Sequence, residues 1–160
     1  MKKTIIIGCP GGGKSTFARA LSEKTGLPLY HLDIIYWNPD KTTVPRDVFD
    51  ARLDDILCRD EWIIDGNYAR TMERRLSAAD TVFFLDIPLE TCLDGIRSRR
   101  GKPRPDMPWA DDKSDEEFIS FVKDFEASSK PKILDLFEKY PGKNVIVFHD
   151  HDEIDNYLRT

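Results

Sequence analysis

Short apolar runs alternate along the chain with stretches whose apolar residues recur at helical spacing, the rhythm of strands joined by helices. Thr4–Ile7 is a β-branched run that stops at a glycine-rich turn. From Lys14 the pattern turns helical, with Phe17, Ala18, Ala20 and Leu21 on one side and Gly26 as the stop. Leu27–Leu32 reads as a second strand, and 33–43 as irregular chain, although Ile34–Trp37 is too apolar for a simple solvated loop. Pro45 suits a helix's first turn, and Val48, Phe49, Leu53, Ile56 and Leu57 make the stripe that follows. Trp62–Ile64 predicts a third strand closing at Asp65-Gly66, with a helix over 71–76 behind it. Thr81–Leu85 predicts a fourth strand, and a helix from Leu89 runs into Arg97, Arg99, Arg100, Lys102 and Arg104.

Gly101, Pro103, Pro105 and Pro108 break that helix and predict a loop. Ser114-Asp115-Glu116-Glu117 opens the next helix, with Phe118, Phe121, Val122 and Phe125 on its apolar face. Pro131 is expected to interrupt it before Ile133–Phe137, Asn144–Phe148 predicts a fifth strand, and Ile154, Tyr157 and Leu158 mark a last helix. The simplest assembly is an α/β domain over 1–160, with five strands in one sheet.

Composition narrows the function classes. Of 160 residues, 40% are apolar and 33% charged, which excludes a disordered or fibrous chain. No apolar run approaches the ~18 residues of a membrane span. Three scattered cysteines without metal spacing read as reduced thiols of a cytoplasmic protein. A net charge of −5, with no helix-turn-helix or zinc module, counts against direct DNA binding.

Gly8-Cys9-Pro10-Gly11-Gly12-Gly13-Lys14-Ser15 satisfies G-x-x-x-x-G-K-[ST] between a strand and a helix. Glycines let successive backbone N–H groups point inward around a polyphosphate, and the helix N-terminus adds unpaired donors. Lys14 then neutralises the β and γ phosphates, the Ser15 hydroxyl is a candidate Mg²⁺ ligand, and Thr16 a candidate α-phosphate contact. The expected ligands are ATP and Mg²⁺. Neither N-K-x-D nor D-x-x-G occurs, which sets aside guanine-nucleotide switches.

The loop resembles the G-x-P-G-x-G-K loop of adenylate kinases, Ile63-Ile64-Asp65-Gly66 with Arg70-Thr71 resembles their D-G-F-P-R-T segment, and Leu85-Asp86-Ile87-Pro88 the strand ending before their lid. Tyr30-His31-Leu32-Asp33, Trp62–Tyr68, Arg104-Pro105-Asp106-Met107 and Lys130–Leu134 are similar to an adenylate-kinase-related bacterial group, the DNA topology modulation proteins. The resemblance implies a three-layer P-loop NTPase fold like that of nucleoside monophosphate kinases, with a parallel sheet in the order 2-3-1-4-5. It implies a kinase moving the γ-phosphoryl group of ATP·Mg²⁺ to a nucleoside monophosphate or a small hydroxyl metabolite. The alternative it carries is a nucleotide-binding regulator of DNA topology.

The same resemblance assigns Asp65 to Mg²⁺ beside Ser15, a strand-end turn being the other reading. Arg70 would grip an acceptor phosphate, although one extra residue precedes it in this chain. Asp33 follows strand two, where related small-molecule kinases such as shikimate kinase place a carboxylate near the acceptor hydroxyl; a helix N-cap is the alternative. Trp37 is a candidate acceptor wall, and His31 reads as structural. Arg99, Arg100 and Arg104 are expected to close over the triphosphate from a short lid at 97–113, against a solvated helix end. His149, Asp150 and His151 fall in the last β–α connection, with a structural or base-edge role, and Lys130 and Lys132 are expected on the surface.

Overall fold

The computed structural model describes residues 1–103, 105–108 and 114–160. Strands β1 (Lys3–Gly8), β2 (Leu29–His31), β3 (Trp62–Asp65), β4 (Thr81–Leu85) and β5 (Asn144–Phe148) form one parallel sheet in the order β2-β3-β1-β4-β5. Helices α1 (Lys14–Thr25), α2 (Leu32–Tyr36), α3 (Arg46–Leu57), α4 (Ala69–Ala78) and α5 (Leu89–Arg99) precede α6 (Asp115–Asp124), α7 (Lys130–Lys139) and α8 (His151–Arg159). Among the described residues no helix is long and apolar enough to cross a membrane.

The central strands are apolar on both faces because helices cover both, as a parallel sheet requires. Ile5, Ile6 and Ile7 of β1 and Ile63 and Ile64 of β3 are fully buried. Alternation along β4 separates the two helical layers. Phe83 meets Phe17 of α1 at 5.0 Å and Tyr157 of α8 at 5.3 Å, whereas Phe84 meets Phe137 of α7 at 5.9 Å. Burying each such ring contributes about 1.5–3 kcal/mol, so these contacts fix which helices lie on which side.

Three expectations shift. The second strand is shorter than the apolar run, because Leu32 turns inward, wholly buried, and begins α2, where irregular chain was expected. The turn closes through Trp37 N–H donating to the Asp33 carbonyl at 3.0 Å. Pro131 does not interrupt its helix. A π-helical turn over Phe125–Ser129 joins α6 to α7, and Pro131 falls in the first turn of α7, where a missing N–H costs little.

Gly8 decides how closely the P-loop strand meets its neighbour. At φ 145, an added Cβ would lie 2.3 Å from the Leu85 carbonyl oxygen, the atom that receives the Cys9 N–H at 2.9 Å. Only glycine allows that approach. The phosphate loop therefore leaves the sheet at a fixed point beside β4.

Candidate active site

The loops leaving the carboxyl ends of β1, β2 and β3 converge on one cavity of about 660 Å³. This is the edge of an open α/β sheet where ligands bind. Pro10, Gly11, Gly13, Lys14 and Ser15 line it from the loop after β1, Asp33 and Trp37 from α2 and its end, and Asp65 to Tyr68 from the end of β3. Ile96 and Arg99 of α5, Asp106, Met107, and Phe118 and Phe121 of α6 close the far side.

The loop is built to hold an anion. Gly13 caps α1 in the left-handed region (φ 95) and no side chain satisfies the helix's first amides. Those donors face the cavity with the positive end of the helix dipole behind them. Lys14 Nζ folds back to donate to the Gly8 and Cys9 carbonyls at 3.2 Å each, with burial lowering its pKa and Asp65 holding it up. Gly11 (φ 73) lies under Phe118, whose Cζ would sit 2.6 Å from an added Cβ. The arrangement fits a triphosphate.

Ser15 Oγ accepts from Arg19 Nη1 at 2.7 Å and keeps a second lone pair. The Asp65 carboxylate, buried, accepts from His31 Nδ1–H at 2.8 Å through Oδ2 alone. Ser15 and Asp65 thus open onto the same cavity with oxygen still to offer, a donor set that fits Mg²⁺. Thr16 is exposed, while Gly8, Cys9 and Gly12 support the loop from behind the cavity wall.

Asp33 is held at its place by Tyr68, whose hydroxyl donates to Oδ1. Burial raises the Asp33 pKa, and that hydrogen bond and Lys14 partly offset the rise. The arginines divide. Arg99 lines the cavity, whereas Arg100 donates to Asp115 Oδ1 at 2.5 Å and Arg97 to Asp115 Oδ2 at 2.8 Å, outside its walls. Arg97 lies in the last turn of α5 and Arg100 just past its end, and one acidic side chain at the start of α6 gathers the pair. Arg104 and positions 109–113 of the expected lid lie outside the described residues. Arg70 stands on α4 away from the cavity, with Nη2 donating to Asp50 Oδ1 at 2.6 Å. His151 donates through Nε2 to the Gly12 carbonyl at 3.1 Å, and Lys130 bonds Asp86 at 2.9 Å.

No family model matches the chain, and no curated protein matches it by sequence. Among solved structures it is similar to shikimate kinase from Bacteroides thetaiotaomicron, with a TM-score of 0.60, 18% identity, and coverage of 99% of this chain and 96% of that one. The strand order agrees. The chain has a P-loop kinase fold.

Within this P-loop kinase fold, three residues for which no role is read from the sequence hold the site together. Arg75, fully buried on α4, reaches back to donate to the carbonyls of Gly66 (2.9 Å), Asn67 and Tyr68 (3.1 Å), and to Thr71 Oγ1 (3.1 Å). Burial without a bonded carboxylate pushes its pKa down to about 9, which leaves it charged at neutral pH. Asn67 grips the P-loop's first residue, accepting from Gly8 N–H at 3.0 Å and donating to its carbonyl at 2.8 Å. Tyr68 takes φ 36, the left-handed region that a tyrosine rarely adopts. The one signal for Arg75 was its spacing: it shares the buried face of α4 with Thr71, Met72 and Leu76, where a cation is out of place.

Proposed function

We propose that the chain is an ATP-dependent phosphotransferase that moves the γ-phosphoryl group of ATP·Mg²⁺ to a hydroxyl of a small acceptor. The observation that carries this reading is the meeting, in one cavity, of a polyphosphate cradle ending in Lys14 with a partly buried carboxylate, Asp33. The solved protein of similar fold is itself named a kinase.

On this reading the amides of Gly11, Gly13 and Ser15 and the Lys14 ammonium bind the triphosphate, and Ser15 and Asp65 hold the metal. Bound Mg²⁺ would supply charge neutralisation between the phosphates. Asp33 accepts a hydrogen bond from the acceptor hydroxyl and takes its proton as the oxygen bonds to phosphorus and ADP departs. Arg99 faces the charge spread over the transferring group. Ile96, Met107, Phe118 and Phe121 exclude water, which would otherwise compete as acceptor.

A hydroxyl compound is favoured over a nucleoside monophosphate by the place of Arg70. A second phosphate needs a cation to meet it, and the Arg70 guanidinium is committed to Asp50 outside the cavity. The test is ADP release coupled to acceptor addition, across neutral hydroxyl compounds and nucleoside monophosphates. Acceptor-dependent release should appear with the former, and Lys14→Ala should cut kcat/KM by about 10²-fold or more. Undiminished turnover in Lys14→Ala, or release stimulated by monophosphates alone, overturns the proposal.

A further inference from the structure

The hydrogen bond between Tyr68 and Asp33 has a fixed polarity. An ionised carboxylate only accepts, so the phenol donates. Burial and the neighbouring Asp33 charge push the Tyr68 pKa far up, and the phenol therefore keeps its proton. Asp33 Oδ1 is thereby occupied, and Oδ2 is the oxygen left to meet a hydroxyl from the cavity. The ring that carries the donor is immobilised, with Tyr36 at 5.0 Å and Phe49 at 5.7 Å.

The backbone at Tyr68 shows that this placement is imposed. A tyrosine at φ 36 and ψ 76 carries strain of about 1–3 kcal/mol. Arg75 holds the loop in that conformation through the carbonyls on either side. A residue serving only as aromatic filler has no need of left-handed backbone, since a relaxed loop would bury the ring equally well. The strain instead carries the hydroxyl across to α2.

We propose that Tyr68 is a positioning residue for the transfer: it clamps Asp33 so that one carboxylate oxygen faces the acceptor, and its ring selects an uncharged hydroxyl compound with a flat or apolar body. The inference rests on the phosphotransferase reading above. Trp37 and Met107 line the cavity beside Tyr68 and supply the apolar surface. The Arg70 guanidinium is committed to Asp50 outside the cavity, so an uncharged acceptor suits this half better than a phosphorylated one.

The test uses the full chain and two variants, Tyr68→Phe and Tyr68→Ala, with MgATP binding followed by calorimetry. Both variants should bind MgATP within about twofold of wild type, because the phenol faces the acceptor half. Tyr68→Phe keeps the ring and loses the clamp, so kcat should fall about 10- to 100-fold with acceptor KM little changed. Tyr68→Ala loses both, and acceptor KM should rise as well. Where no acceptor in the panel is turned over, slow hydrolysis of MgATP reads the same clamp, since water is then the hydroxyl that Asp33 orients; Tyr68→Phe should slow it by the same factor. An unchanged kcat or hydrolysis rate in Tyr68→Phe overturns the Tyr68 role while leaving the kinase reading intact. Absence of MgATP binding by the wild-type chain overturns both.

Discussion

Replacing Arg75 by methionine tests whether one buried guanidinium sets the geometry of the site. Methionine matches its length without a donor. The change strips the bonds to Gly66, Asn67, Tyr68 and Thr71. The Tyr68 carbonyl keeps the Thr71 N–H at 3.0 Å, so the acceptors left wanting are those of Gly66 and Asn67. Each buried orphan costs about 1–3 kcal/mol. Against that stand the relieved desolvation of the cation and the strain released at Tyr68, about 1–3 kcal/mol. Two orphans cost about 2–6 kcal/mol and the strain relief returns about 1–3 kcal/mol, so the net loss centres on about 2 kcal/mol, a sizeable share of the 5–15 kcal/mol typical of a whole domain. With a urea slope of about 2 kcal/mol/M, the unfolding midpoint should fall by about 1 M. MgATP affinity should fall too, because Asn67 loses the anchor from which it grips Gly8. Arg75→Lys should recover part of the stability, since an ammonium reaches fewer carbonyls than the planar fork. A midpoint in Arg75→Met within about 0.3 M of wild type would mean that water serves these carbonyls equally well, and the reasoning would be refuted.

Asp33→Asn should separate stability from activity. Burial raises the folded-state pKa of Asp33, so the folded chain holds that proton more tightly than the unfolded one, and stability is lost as pH rises from about 4 through the folded value. At pH 7 the variant should melt higher than wild type, with the difference vanishing below about pH 4, while turnover falls about 10²- to 10⁴-fold. A lower melting temperature at pH 7, or retained turnover, contradicts this. The thiols should divide by exposure: Cys58 is exposed, whereas Cys9 and Cys92 are buried with their sulfurs 3.3 Å apart, and the shared hydrogen bond together with burial pushes the Cys9 pKa up. A colorimetric thiol reagent should titrate one group in the native protein and the others only on unfolding, and two fast groups would count against the packing of the P-loop on α5.

What was legible in the sequence follows from how local each feature is. The strands β1, β3 and β4 stand out because burial on both faces makes unbroken apolar runs, and only the chain's own periodicity is needed to find them. The short helix α2 was illegible, since nothing in Leu32–Tyr36 prefers a helix; Leu32 is drawn inward by the sheet and the turn forms behind it. Arg97, Arg99 and Arg100 looked alike as a charge cluster. The helix ends at Arg99, whose side chain lines the cavity, while Arg97 inside the helix and Arg100 just past its end both turn to Asp115.

The two halves of the site differ in the same way. The phosphate cradle is a single stretch from Gly8 to Ser15, shaped by positive-φ backbone at Gly8, Gly11 and Gly13, so its chemistry is written contiguously. The acceptor half is assembled from Asp33, Tyr68 and Arg75, which come together only after β2 and β3 have paired through Leu29↔Ile63 to His31↔Asp65. That pairing sets Asp33 opposite Tyr68, and the strained backbone and buried cation keep it there. On the proposed reading, polyphosphate binding is thus carried by local chain and the choice of acceptor by long-range contacts. Substitutions that alter acceptor preference should therefore cluster around the 65–68 turn and the α4 face beneath it, where a change at one side chain moves Asp33 without touching the loop that holds the nucleotide.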